Sequence, residues 1–151
     1  MAYRICKSFE IESGHMLSRH PEKCRFPHGH SRTIEFVLEA DELDANGMVC
    51  DFKVLTAVMG DFMDAWDHSL AMNTDDPQFE MMRRAYGDRI IAFKGTEPTT
   101  EVMAKTLFDA CSDRLRAYLE RKVSSYPLSP SVRLVSVKVW ETSSSWAEYR
   151  A

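Results

Sequence analysis

The run His28-Gly29-His30-Ser31-Arg32-Thr33-Ile34-Glu35-Phe36-Val37-Leu38-Glu39 governs the reading of everything around it. From His30 to Glu39 apolar and polar side chains alternate, with Ile34, Phe36 and Leu38 on one parity, which predicts a half-buried strand. His28 and His30 share that parity. Two imidazoles two residues apart at the mouth of a strand lie on one face of the pleat. Here it is the apolar face, where a hydrated ring is out of place.

Upstream, Tyr3, Ile5, Phe9 and Ile11 alternate with Arg4, Ser8, Glu10 and Glu12, predicting a first strand that ends near Ser13-Gly14-His15. A charged, proline-containing loop from Ser18 to Pro27 joins the two. Downstream, Asp44-Ala45-Asn46-Gly47 reads as a turn, and Asp51 can cap a helix beginning near Phe52. Val54, Leu55, Val58, Phe62 and Trp66 recur at three- and four-residue steps as its apolar face. A short helix is expected near Phe79–Tyr86 and a brief strand at Arg89–Phe93. Pro98-Thr99-Thr100-Glu101 starts a second long helix with Thr99 as its cap, and Glu101 falls one place too early for a strict capping box. Met103, Leu107, Cys111, Leu115 and Tyr118 form its buried stripe, and Ser124-Ser125-Tyr126-Pro127 ends it. Val135, Val137 and Val139 mark a third principal strand, and Trp146 to Arg150 a fourth.

Strand, strand, helix, helix, strand, strand predicts an α+β domain: a four-stranded antiparallel sheet with two long helices on one face, in the order ββααββ. The opposite face is expected to keep apolar residues that something else must cover. The 151 residues suit one domain, 1–151. A net charge of −4 argues against a general binder of nucleic acid or of an anionic membrane surface. No stretch reaches the roughly 18 consecutive apolar residues of a membrane span, and the N-terminus lacks the apolar core of a secretory signal. Cys6, Cys24, Cys50 and Cys111 contain no CxxC pair, so reduced thiols in the cytoplasm are the expectation.

If the first two strands pair as a hairpin, His15 reaches His28 and His30. Three His ligands with an open fourth position describe a catalytic zinc site; ordinary surface or core histidines are the alternative. Cys24, four residues before His28, is either a thiol biased toward thiolate by a nearby cation, hence a base or nucleophile, or a fourth ligand that closes the site. Cys6, Cys50 and Cys111 read as small packing residues, and His20 as solvent-exposed. Asp67-His68 ends the first long helix. Adjacent helical residues point about 100° apart, so a direct dyad there requires a helix end or turn; otherwise His68 simply favours the helix C-terminus. Glu141 continues the parity of Val135, Val137 and Val139. It is either a buried carboxylate awaiting a pair of N–H donors or a wet residue beyond the strand.

Six segments in order then resemble one family: Phe9 through Ser13-Gly14-His15, Cys24-x-x-x-His28-Gly29-His30, Gly47-Met48-Val49-Cys50-Asp51-Phe52, Asp67-His68, Pro98-Thr99-Thr100-Glu101, and Glu141-Thr142. Together they resemble the 6-pyruvoyl-tetrahydropterin synthase / 6-carboxy-tetrahydropterin synthase family. The resemblance implies the tunnelling fold, assembled as trimers that stack into hexamers. It implies zinc on His15, His28 and His30, Cys24 as general base, and Asp67 and His68 as a proton relay. Glu141 would anchor the pterin ring, with Thr99 and Thr100 helping to seat it. The implied substrate is 7,8-dihydroneopterin triphosphate. The spacing of three residues between Cys24 and His28 resembles the bacterial branch, which makes 6-carboxy-tetrahydropterin and acetaldehyde for queuosine-type deazapurines. The pyruvoyl branch and a non-catalytic pterin- or metal-binding paralogue are the alternatives. A side-chain-cleaving aldolase is disfavoured, because a Glu replaces the catalytic Cys in members proposed for that task. Lys7, Arg19, Lys23 and Arg25 are candidates for the triphosphate. Three features depart from the family pattern: Ser-Gly-His in the opening, one extra residue after Asp67-His68, and a long 75–93 segment at a position where it could alter the pocket mouth.

Overall fold

Alternation in the first forty residues produces the two longest strands. In this computed structural model, which describes residues 1–121 and 125–151, β1 (Tyr3–His15) and β2 (His28–Ala40) pair antiparallel along their whole length. His15 lies directly opposite His28, and Ser13 opposite His30. Asp51 accepts from the Lys53 N–H at 2.8 Å to open α1 (Lys53–Trp66). The chain continues through β3 (Ser69–Asn73), α2 (Phe79–Tyr86), β4 (Ile90–Phe93), α3 (Thr100–Glu120), β5 (Arg133–Thr142) and β6 (Ser145–Arg150). The expected short helix and brief strand correspond to α2 and β4.

The sheet departs from the four-stranded antiparallel ββααββ expectation. It has six strands in the order β4-β3-β1-β2-β5-β6, and β1–β3 and β3–β4 are parallel pairs. The missed strand, Ser69-Leu70-Ala71-Met72-Asn73, is almost wholly buried, so it shows no alternation, and it contains no β-branched residue. Gly14 permits the packing here. A Cβ at that position would sit 3.0 Å from Leu70 Cδ1 and 3.3 Å from the carbonyls of His28 and Ser69.

The helices α1 and α3 cover one face, and the main core lies between them and the sheet. Every residue of the predicted α3 stripe is buried. That helix stops at Glu120; of the expected stop signal, Ser124 lies outside the described residues. The uncovered face is mostly polar, carrying Ser8, Glu10, Glu12, Ser31, Thr33, Glu35 and Lys138 beside Trp140, rather than the apolar surface expected. Cys50 and Cys111 are buried as predicted, with burial pushing their thiols up to about 11 and about 12. Cys6 is exposed, because its parity places it on the uncovered face. Val135 also leaves its predicted row: Leu38 pairs with Leu134 and Val37 with Ser136, so Val135 is the extra residue of a bulge.

Candidate active site

The inner row of β2 runs His28, His30, Arg32, Ile34, Phe36, Leu38, so the ligand row grades directly into the core. With His15 from β1, the imidazoles pack as a trio whose ring centroids are 4.5, 5.2 and 5.1 Å apart. Their ligand-capable nitrogens lie within 4.8 Å of one another. His15 is fully buried, its Nδ1 is 2.8 Å from the Pro98 carbonyl, and His28 Nδ1 is 2.7 Å from the Phe26 carbonyl. An N–H donated to a carbonyl at Nδ1 leaves Nε2 as a lone pair, the orientation metal-binding imidazoles use. The Nε2 atoms of His15 and His30 are buried without a hydrogen-bond partner. Burial lowers the pKa of His15 to about 4, and also lowers that of His30, which keeps both in the neutral, ligating form. The residues therefore fit a divalent metal. Cys24 is not a member of the group that converges within this distance.

The start of α3 serves the site through three consecutive residues. The Pro98 carbonyl orients His15, the Thr99 hydroxyl accepts from Val102 N–H at 3.2 Å as the helix cap, and the buried Thr100 lines the same cavity as His15. Thr100 Oγ1 donates to Glu141 Oε1 at 3.0 Å and accepts from Arg32 Nη1 at 3.2 Å. Glu141 belongs to β5 and is about one-third exposed; its Oε1 is 3.5 Å from His30 Nε2 and 3.6 Å from His15 Nε2. Its position has a local cause. Trp140 pairs with Trp146 and Thr142 with Ser145, so Glu141 is the extra residue of a second bulge, a feature that re-aims side chains.

Arg32 escaped the sequence reading, although its parity with His28 and His30 was the available signal. It is 1% exposed. Burial works against its charge, Glu141 at 3.9 Å works for it, and its Nε has no partner. A buried ion generally carries a penalty of several kcal/mol unless fully compensated, so this guanidinium is a poor stabiliser.

One cavity of about 230 Å³ is lined by His15, His20, Cys24, Thr99, Thr100 and Glu141, with Glu101 and Trp146 at its walls. Leu17 N–H donates to the Cys24 carbonyl at 2.9 Å, folding the loop back. His20 is half-buried in this lining rather than solvent-exposed, because the loop closes over the cavity. A roomier groove of about 310 Å³, lined by residues including Tyr3, Leu43, Met48 and Phe52, holds none of the histidines. Lys7 lies eight residues along β1 from His15, about 27 Å at strand rise, too far for a ligand in the same cavity. The 75–93 segment instead builds α2 and β4, and none of its residues lines the cavity.

Asp67 and His68 lie elsewhere. Asp67 is the C-cap of α1, and His68 has a left-handed backbone, φ 57°, unique among the described non-glycine residues. That turn satisfies the geometric requirement for a dyad: His68 Nδ1 is 3.0 Å from Asp67 Oδ2. Asp67 Oδ1 accepts from the Glu12 N–H at 2.8 Å, and this bond, followed by His68, holds the carboxyl below its usual range. His68 is 70% exposed and neither residue lines the cavity.

Fold and site together define an α+β chain with a metal-capable three-histidine cluster and a cavity lined by His15 and Glu141. The model of the family described as 6-pyruvoyl tetrahydropterin synthase matches residues 4–151. The chain belongs to that family. It is 27% identical over 168 residues to a 6-carboxy-5,6,7,8-tetrahydropterin synthase of Aquifex aeolicus, covering 99% of both chains. It is 30% identical over 151 residues to the Bacillus subtilis protein of the same name, covering 99% of this chain and 86% of that one. An uncharacterized protein of Wolinella succinogenes superposes with a TM-score of 0.78 at 22% identity, covering 99% and 98%. A 6-pyruvoyltetrahydropterin synthase of Plasmodium vivax superposes at 0.72 and 14%, covering 100% and 98%. At those identities the two structures bear on the fold alone. Among the described residues no helix is long and apolar enough to cross a membrane.

Proposed function

We propose that the protein is a zinc-dependent lyase converting 7,8-dihydroneopterin triphosphate to 6-carboxy-5,6,7,8-tetrahydropterin, with release of triphosphate and acetaldehyde. The observation that carries this reading is the single cavity bringing His15, Cys24, Thr99, Thr100 and Glu141 together. The names of the Aquifex and Bacillus relatives support the carboxy product.

In this reading Glu141 binds the pterin ring by accepting from its 2-amino and N3–H groups, a bidentate arrangement. Thr100 orients that carboxylate, and Thr99 holds the start of α3 in place beneath the ring. His15, His28 and His30 would hold the zinc, which when bound supplies Lewis-acid polarisation of the substrate's side-chain hydroxyls. Cys24 takes a proton from the side chain at its Sγ. Asp67 orients His68, which moves the second proton. Because that pair lies outside the cavity of its own chain, its role calls for a homo-oligomer, a trimer or hexamer, in which it serves the cavity of a second copy.

The test is incubation of the zinc-loaded protein with dihydroneopterin triphosphate and mass spectrometry of the products. 6-Carboxy-tetrahydropterin with acetaldehyde is expected. A retained three-carbon side chain would give the 6-pyruvoyl reading, which the description of the family model supports. Pterin binding with no triphosphate release would leave only a binding protein.

A further inference from the structure

We propose that Arg32 is a positioning residue that, through Thr100, holds Glu141 in the orientation from which the cavity selects ring edges composed of N–H donors. This rests on the reading of Glu141 as the ring anchor.

A guanidinium has donors and no acceptor. Arg32 Nη1 therefore donates to Thr100 Oγ1, at 3.2 Å. The threonine hydroxyl, occupied as an acceptor on that side, gives its one proton to Glu141 Oε1 at 3.0 Å. The sense of the chain, Arg32 to Thr100 to Glu141, is fixed from its buried end. Arg32 Nη2 lies 3.4 Å from His15 Nδ1 and 3.9 Å from the same Oε1. With these contacts on one side of Oε1, the carboxylate is held with Oε2 and the remaining lone pair of Oε1 for a ligand, and an ionised carboxylate can only accept.

Such a carboxylate suits a 2-amino group beside an N3–H. A ring with a carbonyl at position 2 places two acceptors face to face and is rejected. Stability does not account for Arg32. Its Nε is unpartnered, and the next inward residue of β2 is Ile34, so an apolar side chain in this row would pack without a buried charge.

The experiment measures dissociation constants of 6-methylpterin and 6-methyllumazine, which differ in the 2-amino and 2-oxo groups. Zinc-loaded full-length wild type is compared with Arg32→Met, Arg32→Lys and Thr100→Val. Wild type is expected to prefer the pterin, and Arg32→Met to reduce that preference by about 10- to 100-fold, with zinc content per chain retained. Arg32→Lys keeps a charged donor and retains part of the preference. Thr100→Val breaks the same chain, so its loss matches that of Arg32→Met, and the double variant adds no more than about twofold.

An undiminished preference in Arg32→Met or Thr100→Val overturns the proposal, as do losses that multiply. A generally loosened pocket would weaken both ligands alike and leave their ratio intact, which also overturns it. Should Arg32→Met fail to fold, Arg32→Lys and Thr100→Val decide the matter. Wild type with no preference removes the Glu141 reading and this proposal together. A wild-type preference that survives the substitutions removes the proposal alone.

Discussion

The trio of His15, His28 and His30 and the corner of Asp67 and His68 both set imidazoles beside carboxylates, but they are built in opposite ways. The trio comes from two strands, is oriented by the carbonyl before α3 and lies beside the carboxylate at the β5 bulge, and its first member is fully buried. The corner is made by two neighbours in sequence and one left-handed residue, with its imidazole largely in solvent. Burial and neighbouring carbonyls orient the first for a ligand before any arrives. The second is held on the Asp67 side, through the Glu12 N–H, and open on the His68 side. One chain thus carries a buried cluster able to hold a metal and an exposed Asp–His pair that does not line its cavity.

The largest expected effect separates the two directly. His15→Ala is expected to lose stoichiometric zinc and reduce turnover below detection, whereas His68→Ala keeps one zinc per chain; elemental analysis of both variants checks this. Zinc retained by His15→Ala would break the contrast. Next, Cys24→Ala is expected to keep zinc and lose roughly 10²- to 10⁴-fold in turnover, the usual contribution of a positioned acid or base. Loss of zinc in that variant would make Cys24 a ligand. His68→Ala is expected to fall by a similar factor. Co-refolded mixtures of Cys24→Ala and His68→Ala chains should regain part of the activity, because a mixed assembly pairs an intact cavity with an intact corner.

A smaller effect concerns pH. His15 is held at about 4 against an ordinary value of 6.5, so as acid is added the unfolded chain takes up the proton first. The contribution of neutral His15 is present above pH 6.5 and is lost as the pH falls from there toward 4. Denaturant melts of chelator-treated protein should show that decline. The smallest effect is local: Thr99→Ala removes the α3 cap and should lower stability by about 1 kcal/mol in the same melts.

The strands that alternate and the helices with apolar stripes were legible because one face of each meets solvent. β3 was not, since a strand buried on both faces leaves no alternation to read. The site divides similarly. His28, His30 and the opposing His15 follow from parity and a hairpin, while the bulge that re-aims Glu141 depends on pairing with β6 and leaves no local mark. Arg32 was readable from its parity, but an arginine in an apolar row invites dismissal as a surface residue. His20 sits in a polar loop that closes over the cavity and half-buries it, and Cys6, which reads as a packing residue from its lack of polar company, is exposed by strand parity.

All three imidazoles, together with Arg32, belong to the single hairpin of β1 and β2, whereas Thr100 and Glu141 arrive from much later in the chain. A hairpin closes on the scale of microseconds, while pairings distant in sequence come more slowly. The three imidazoles thus meet through one local pairing, while the carbonyl that orients His15 and the carboxylate beside it depend on contacts far along the chain.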